Sequence, residues 1–144
     1  MKNKILTPGI LLFAIVIIVG AFSIWNGNFL TPKERVVESS VVNLKNGDTF
    51  NLTAAYVTKV IGGKSQTMLA YNGSIPGPTI RVAQGSKVII DFKNNTNLPA
   101  LLHSHGVRMD NAFDGSQTVQ TEMKPGESFS YKLRTQDSSL STFS

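Results

Sequence analysis

The sequence predicts an all-β domain, an antiparallel sandwich or barrel, set behind an apolar amino-terminal segment. Two observations carry that expectation. After Ser40 apolar residues recur at every second position in several short runs, and turn signals rich in glycine and proline separate those runs. Successive side chains of an extended strand point to opposite faces, so a period of two marks a strand with one face buried.

The chain begins with Lys2 and Lys4 ahead of an uncharged, mostly apolar run from Ile5 to Trp25, long enough to span a bilayer. The same arrangement fits a secretory signal peptide, with Ala21-Phe22-Ser23 as a small-x-small cleavage sequence. The length of the run favours an uncleaved transmembrane helix. Either reading exports the remainder, as a single-pass cell-membrane protein with its domain on the extracytoplasmic side or as a secreted one. Residues 1–25 are therefore taken as anchor or signal, 26–40 as a polar linker containing Thr31-Pro32, and 41–144 as one folded domain.

Within that domain Phe50, Leu52, Ala54 and Tyr56 form one alternating run, Val88, Ile90 and Phe92 a second, and Phe129, Tyr131 and Leu133 a third. Gly62-Gly63, Asn72-Gly73, Pro76-Gly77-Pro78, Gln84-Gly85 and Pro125-Gly126 lie between the runs, where tight turns need their backbone angles. Gly62-Gly63-Lys64-Ser65 looks like the end of a phosphate loop, but Thr58 stands where that loop needs its first glycine and a strand follows. It reads as a hairpin turn.

The net charge is +5, with basic residues scattered singly and no interleaved aromatic platform, which argues against nucleic acid as a partner. The chain has no cysteine, so neither a disulfide nor a thiolate metal ligand is available. Its two histidines, His103 and His105, are separated by Ser104 alone. In a strand both imidazoles project from one side, and neutral imidazole is a common ligand for copper, zinc, iron and nickel.

Around that pair five elements occur in order: Asn72-Gly73 with Pro76-Gly77-Pro78, then Gly85 and Val88, then His103-x-His105-Gly106, then Asp114-Gly115, then Pro125-Gly126-Glu127 with Phe129 and Tyr131. This stretch, residues 71 to 133, resembles the N-terminal plastocyanin-like (cupredoxin) domain of multicopper oxidases of the laccase kind. The resemblance implies a cupredoxin-like Greek-key β-sandwich and copper as cofactor. It implies that His103 binds a type 2 copper and His105 one of a type 3 pair, within a trinuclear cluster that reduces dioxygen to water. An electron donor such as a phenol or a metal ion would be the substrate.

The chain departs from the family pattern twice. Ser104 replaces the usual tryptophan between the histidines, on the face away from the imidazoles. After Tyr131-Lys132-Leu133-Arg134-Thr135-Gln136-Asp137 the family continues into another His-x-His strand, whereas this chain reads Ser138-Ser139-Leu140-Ser141-Thr142-Phe143-Ser144. On this reading the sandwich is incomplete at its C-terminus, with an unpaired edge after Leu133 to Thr135. Further cupredoxin domains or a partner chain must then complete the cluster. The competing readings are a non-catalytic anchored β-sandwich module and an inactive truncated gene product. Asp110 and Asp114 are expected to form Asx-turns more than to support a ligand imidazole. Met68, Met109 and Met123 are expected to pack in the core or lie on the surface rather than to bind copper.

Overall fold

Eight short strands and one 3-10 turn make up the regular structure of the described residues: β1 (Val41–Leu44), β2 (Thr49–Ile61), β3 (Lys64–Tyr71), β4 (Thr79–Val82), β5 (Lys87–Asn95), β6 (Ser104–His105), the turn Asn111–Phe113, β7 (Ser128–Arg134) and β8 (Thr142–Phe143). The computed structural model describes residues 34–107, 109–135 and, as backbone, 142–143. The expected anchor at 1–25 and most of the 26–40 linker lie outside the described residues. Among the described residues no helix is long and apolar enough to cross a membrane.

The main sheet has the order β3-β2-β5-β7, with β1-β4 and β6-β8 as two-stranded companions. The expected alternation places Val88, Ile90 and Phe92 of β5 inward, and Tyr131 and Leu133 of β7 join them with Leu52 of β2. Leu44, Ile80 and Val82 of the β1-β4 pair pack against the same cluster. Two sheets thus share one core, an all-β arrangement consistent with a cupredoxin-like sandwich. Five aromatic rings run through it, with edge contacts Tyr71–Phe92, Phe92–Tyr131 and Phe129–Tyr131 and a tilted contact Phe113–Phe129.

Three features differ from the sequence expectation. The pairing is mixed: β2 runs parallel to β5, and β1 parallel to β4. Parallel neighbours need a long crossover, and here β3 and β4 lie in the connection from β2 to β5. Inward alternation on β2 stops at Ala54, because the pairing with β5 ends at Ala55 and the rest of β2 pairs with β3. Val57, of the opposite parity, is buried there instead. Finally, the stretch after Thr135 is not empty of strand. Backbone at Thr142–Phe143 pairs antiparallel with β6, a two-residue segment too short to produce a readable alternation.

Turns behave as read. Gly62 and Gly63 both have positive φ between Ile61 and Lys64, the geometry of a two-residue hairpin loop. Met123 is buried in the core, Met109 packs against it, and Met68 is half-buried on β3.

The loop leaving β5 is held by Asn94, a fully buried side chain that the alternation places inward. Its amide nitrogen donates to the carbonyls of Leu98 at 2.7 Å and Met123 at 3.0 Å. Its oxygen accepts from the Thr96 amide at 3.1 Å and the Thr96 hydroxyl at 2.7 Å. A buried amide saturated in this way brackets the chain, because each bond exchanged for an apolar contact leaves a partner stranded away from water. Asn94→Ala is expected to lower unfolding stability by about 3 kcal/mol. The midpoint of urea denaturation, at unchanged slope, checks it.

Candidate metal centre

The two histidines lie on a segment that is only partly in a sheet. Ala100 exchanges both backbone hydrogen bonds with Met123 at 2.9 Å, and β6 begins at Ser104. Between them the Leu102 amide donates to the Tyr131 hydroxyl at 3.0 Å. Leu102 and Ser104 are buried, His103 is half-buried and His105 is exposed. Both imidazoles share one side, with ring centroids 4.8 Å apart and planes at 75°. Ser104 points the other way, into the protein, so its replacement of a large ring is a matter of packing.

His103 is oriented by the loop that follows it. Its Nδ1 lies 2.5 Å from the Asp114 carbonyl oxygen. A carbonyl can only accept, so Nδ1 carries the hydrogen and Nε2 keeps the lone pair that a metal ion or a proton would take. The Asp114 carboxylate is 3.6 Å from the same nitrogen, on a part-exposed pair. Asp114 therefore acts on the imidazole chiefly through its backbone. Asp110 follows the turn-forming expectation: it caps the 3-10 turn, its carboxylate accepting from the Ala112 amide at 3.0 Å.

Gly115 makes this approach possible. It has a φ of +71°, and a β-carbon there would lie 1.9 Å from the Leu102 carbonyl oxygen. The loop is pinned further by Phe113 against Phe129 and by Met109 against the core. Opposite, the Tyr131 hydroxyl also accepts from the Gln120 side-chain amide at 3.1 Å. Burial raises the Tyr131 pKa above its ordinary value, and the hydrogen bonds from Leu102 and Gln120 offset part of that rise. Tyr71 shifts the same way, through burial first and the neighbouring Tyr131 second.

Sequence reasoning found the histidines but assigned no role to Gln120 or to the Tyr131 hydroxyl. The available signal was a tyrosine at an inward position, whose hydroxyl needs a partner once buried. Among the described residues no group of three or more His, Cys, Asp or Glu side chains gathers. A shallow polar cleft lined by Gln117 to Glu122 holds neither histidine. Two imidazoles, one with its tautomer set, suit part of a copper shell and leave its other positions to ligands from elsewhere.

Residues 53–143 match the profile of the multicopper oxidase family. The chain belongs to the multicopper oxidases. It is 31% identical over 77 residues to multicopper oxidase MmcO of Mycobacterium tuberculosis, covering 54% of this chain and 15% of that protein. It is 24% identical over 120 residues to copper resistance protein A of Pseudomonas syringae pv. tomato, covering 83% and 19%. Among solved structures, the multicopper oxidase of Pseudomonas thermotolerans is similar with a TM-score of 0.60 and 30% identity, over 66% of this chain and 23% of that one. McoA of Aquifex aeolicus, in its 2F4 variant, is similar with a TM-score of 0.61 and 30% identity, over 73% and 23%. The chain spans less than a quarter of the length of each of these relatives. Copper is the cofactor that membership in this family implies.

Two outcomes follow from this geometry. Gly115→Ala is expected to destabilise the domain by about 2 to 4 kcal/mol, since backbone must move to admit the methyl group. Chemical denaturation measures the loss, and the His103 ring resonances report the displaced loop. The tyrosines add a pH dependence. Below the ordinary tyrosine value of 10.0 the phenols are neutral in both states and their contribution is complete. As pH rises above that value the unfolded chain ionises first, so stability falls through the raised folded pKa values. Urea midpoints taken across this alkaline range check the fall, and Tyr131→Phe should make it shallower.

Proposed function

We propose that this chain is the copper-binding N-terminal domain of a multicopper oxidase, in which His103 and His105 supply two ligands to a trinuclear copper cluster that reduces dioxygen to water. The observation that carries the reading is the held imidazole of His103, its Nδ1 on the Asp114 carbonyl and the His105 ring beside it. A ligand whose other nitrogen is already hydrogen-bonded meets a metal without choosing a tautomer. By the family pattern His103 belongs to the type 2 copper and His105 to the type 3 pair. Copper, when bound, would supply the redox centre for dioxygen reduction.

The chain's own residues hold, orient and shield. Asp114 and Gly115 fix one imidazole, and Leu102 and Ser104 seal the side away from the ligands. Further cupredoxin domains, or a partner chain, would supply the remaining ligands and the site at which electrons enter. The donor, a phenol or a metal ion, would be bound there. The apolar run from Ile5 to Trp25 would tether the domain on the extracytoplasmic face of the membrane, or direct its secretion.

Copper(II) added to the full 144-residue chain should bind with nitrogen hyperfine coupling in electron paramagnetic resonance. The intense blue of a cysteine-copper site should be absent, because the chain has no cysteine. His103→Ala combined with His105→Ala should abolish the signal. If the double variant keeps the same nitrogen-coordinated spectrum, the histidines are not the ligands and the reading falls. The chain by itself should also show no copper-dependent dioxygen uptake with phenols or ferrous ion, since two imidazoles cannot hold three coppers. Oxygen-electrode traces with and without a chelator decide that point.

A further inference from the structure

We propose that Tyr131 is a positioning residue for the histidine pair: its hydroxyl, by taking the Leu102 amide hydrogen, fixes the peptide that aims His103. The copper consequence rests on the reading of His103 as a ligand, whereas the positioning itself does not.

The need arises from a gap in the ladder. Ala100 is paired with Met123 and Ser104 with the backbone of Phe143, but the Leu102 amide between them donates to a side chain. Leu102 is completely buried, so no water can replace that partner. The tyrosine ring that carries the hydroxyl is itself fixed, with Phe92 at 6.4 Å and Phe129 at 4.8 Å between centroids. Gln120 holds the hydroxyl from a second direction at 3.1 Å.

The carbonyl of the same residue is confined by Gly115. Leu102 is thus hydrogen-bonded at its N–H by Tyr131 and closely approached at its C=O by Gly115, and the next α-carbon carries the imidazole hydrogen-bonded to Asp114. Release of the N–H lets the Leu102 backbone rotate, and rotation changes the distance from His103 Nδ1 to the Asp114 carbonyl. The grip on one amide therefore decides which ring nitrogen stays free.

Tyr131→Phe removes the hydroxyl and keeps the ring. In the full-length chain without metal, at a pH above the imidazole range, two-bond proton–nitrogen NMR should show His103 of the parent as a single Nδ1–H tautomer. In Tyr131→Phe the Nε2–H form should appear while urea unfolding stays cooperative. Val57→Ala serves as comparator, since it opens a buried position of β2 outside the main core cluster; it should lower stability and leave the tautomer unchanged. Gln120→Ala should shift the tautomer the same way to a smaller extent, and it carries the test if Tyr131→Phe fails to fold. Copper(II) affinity should fall about tenfold in Tyr131→Phe, the scale of losing an outer-shell partner. An unchanged tautomer in the folded tyrosine variant, or in Gln120→Ala should that variant not fold, overturns the proposal, as does an equal shift in Val57→Ala. If the tautomer shifts as expected but the parent binds no copper, positioning stands and the copper reading fails.

Discussion

The Leu102 carbonyl oxygen and the α-carbon of residue 115 are so close that no side chain fits between them. That single approach of one backbone to another organises the histidine pair. It requires glycine, with its positive φ, and so fixes where the loop after the 3-10 turn must pass. Once the loop passes there, the carbonyl of Asp114 faces His103 Nδ1. The direct partner of the imidazole is thereby a backbone carbonyl, with the Asp114 carboxylate farther off at 3.6 Å. The pair of Asp114 and Gly115 matters for its peptide geometry more than for the carboxylate.

The approach holds only if both of its sides are held. On one side the aromatic chain from Tyr71 through Phe92, Tyr131 and Phe129 to Phe113 runs from the main sheet to the loop, so the burial that makes the core also seats Phe113 and its neighbours. On the other side Asn94 gathers Thr96, Leu98 and Met123, which carries the chain from β5 toward Ala100 and the histidines. Apolar packing sets the position of these segments and saturated buried hydrogen bonds set their register, since an unpartnered buried amide costs more than a made bond returns.

The parts of this arrangement legible in the sequence are those with a period or a fixed spacing. Val88, Ile90 and Phe92, and Tyr131 with Leu133, announced the core by alternation, and His103 with His105 announced a shared face. The order of glycine, proline and histidine signals from residue 71 onward announced the family. Strand partners were not legible, because alternation gives the buried face of β2 and β5 but not the direction in which they pair. Val57 was missed because β2 changes neighbours within its length. Gln120 and the Tyr131 hydroxyl act through partners 11 and 29 residues away in sequence, and Asn94 ties its own loop at Thr96 and Leu98 to Met123, 29 residues on, so no local pattern records those long bonds.

The two histidines end up unequal, and the inequality follows from burial. His103 is half-buried, and its ring is committed to one tautomer by a carbonyl already in place. His105 is exposed, and among the described residues its ring has the His103 ring for company but no hydrogen-bond partner. The ordering cost of the first ring is therefore met when the domain folds, from core packing and from the contact at Gly115. If His105 is a ligand as proposed, the cost of ordering the second ring would be met on binding, since an exposed imidazole retains rotamer freedom that a metal would remove. On the proposed reading of the pair, such a domain would bring one ligand in final form and one that still adapts, which would suit a site whose remaining groups come from other polypeptide.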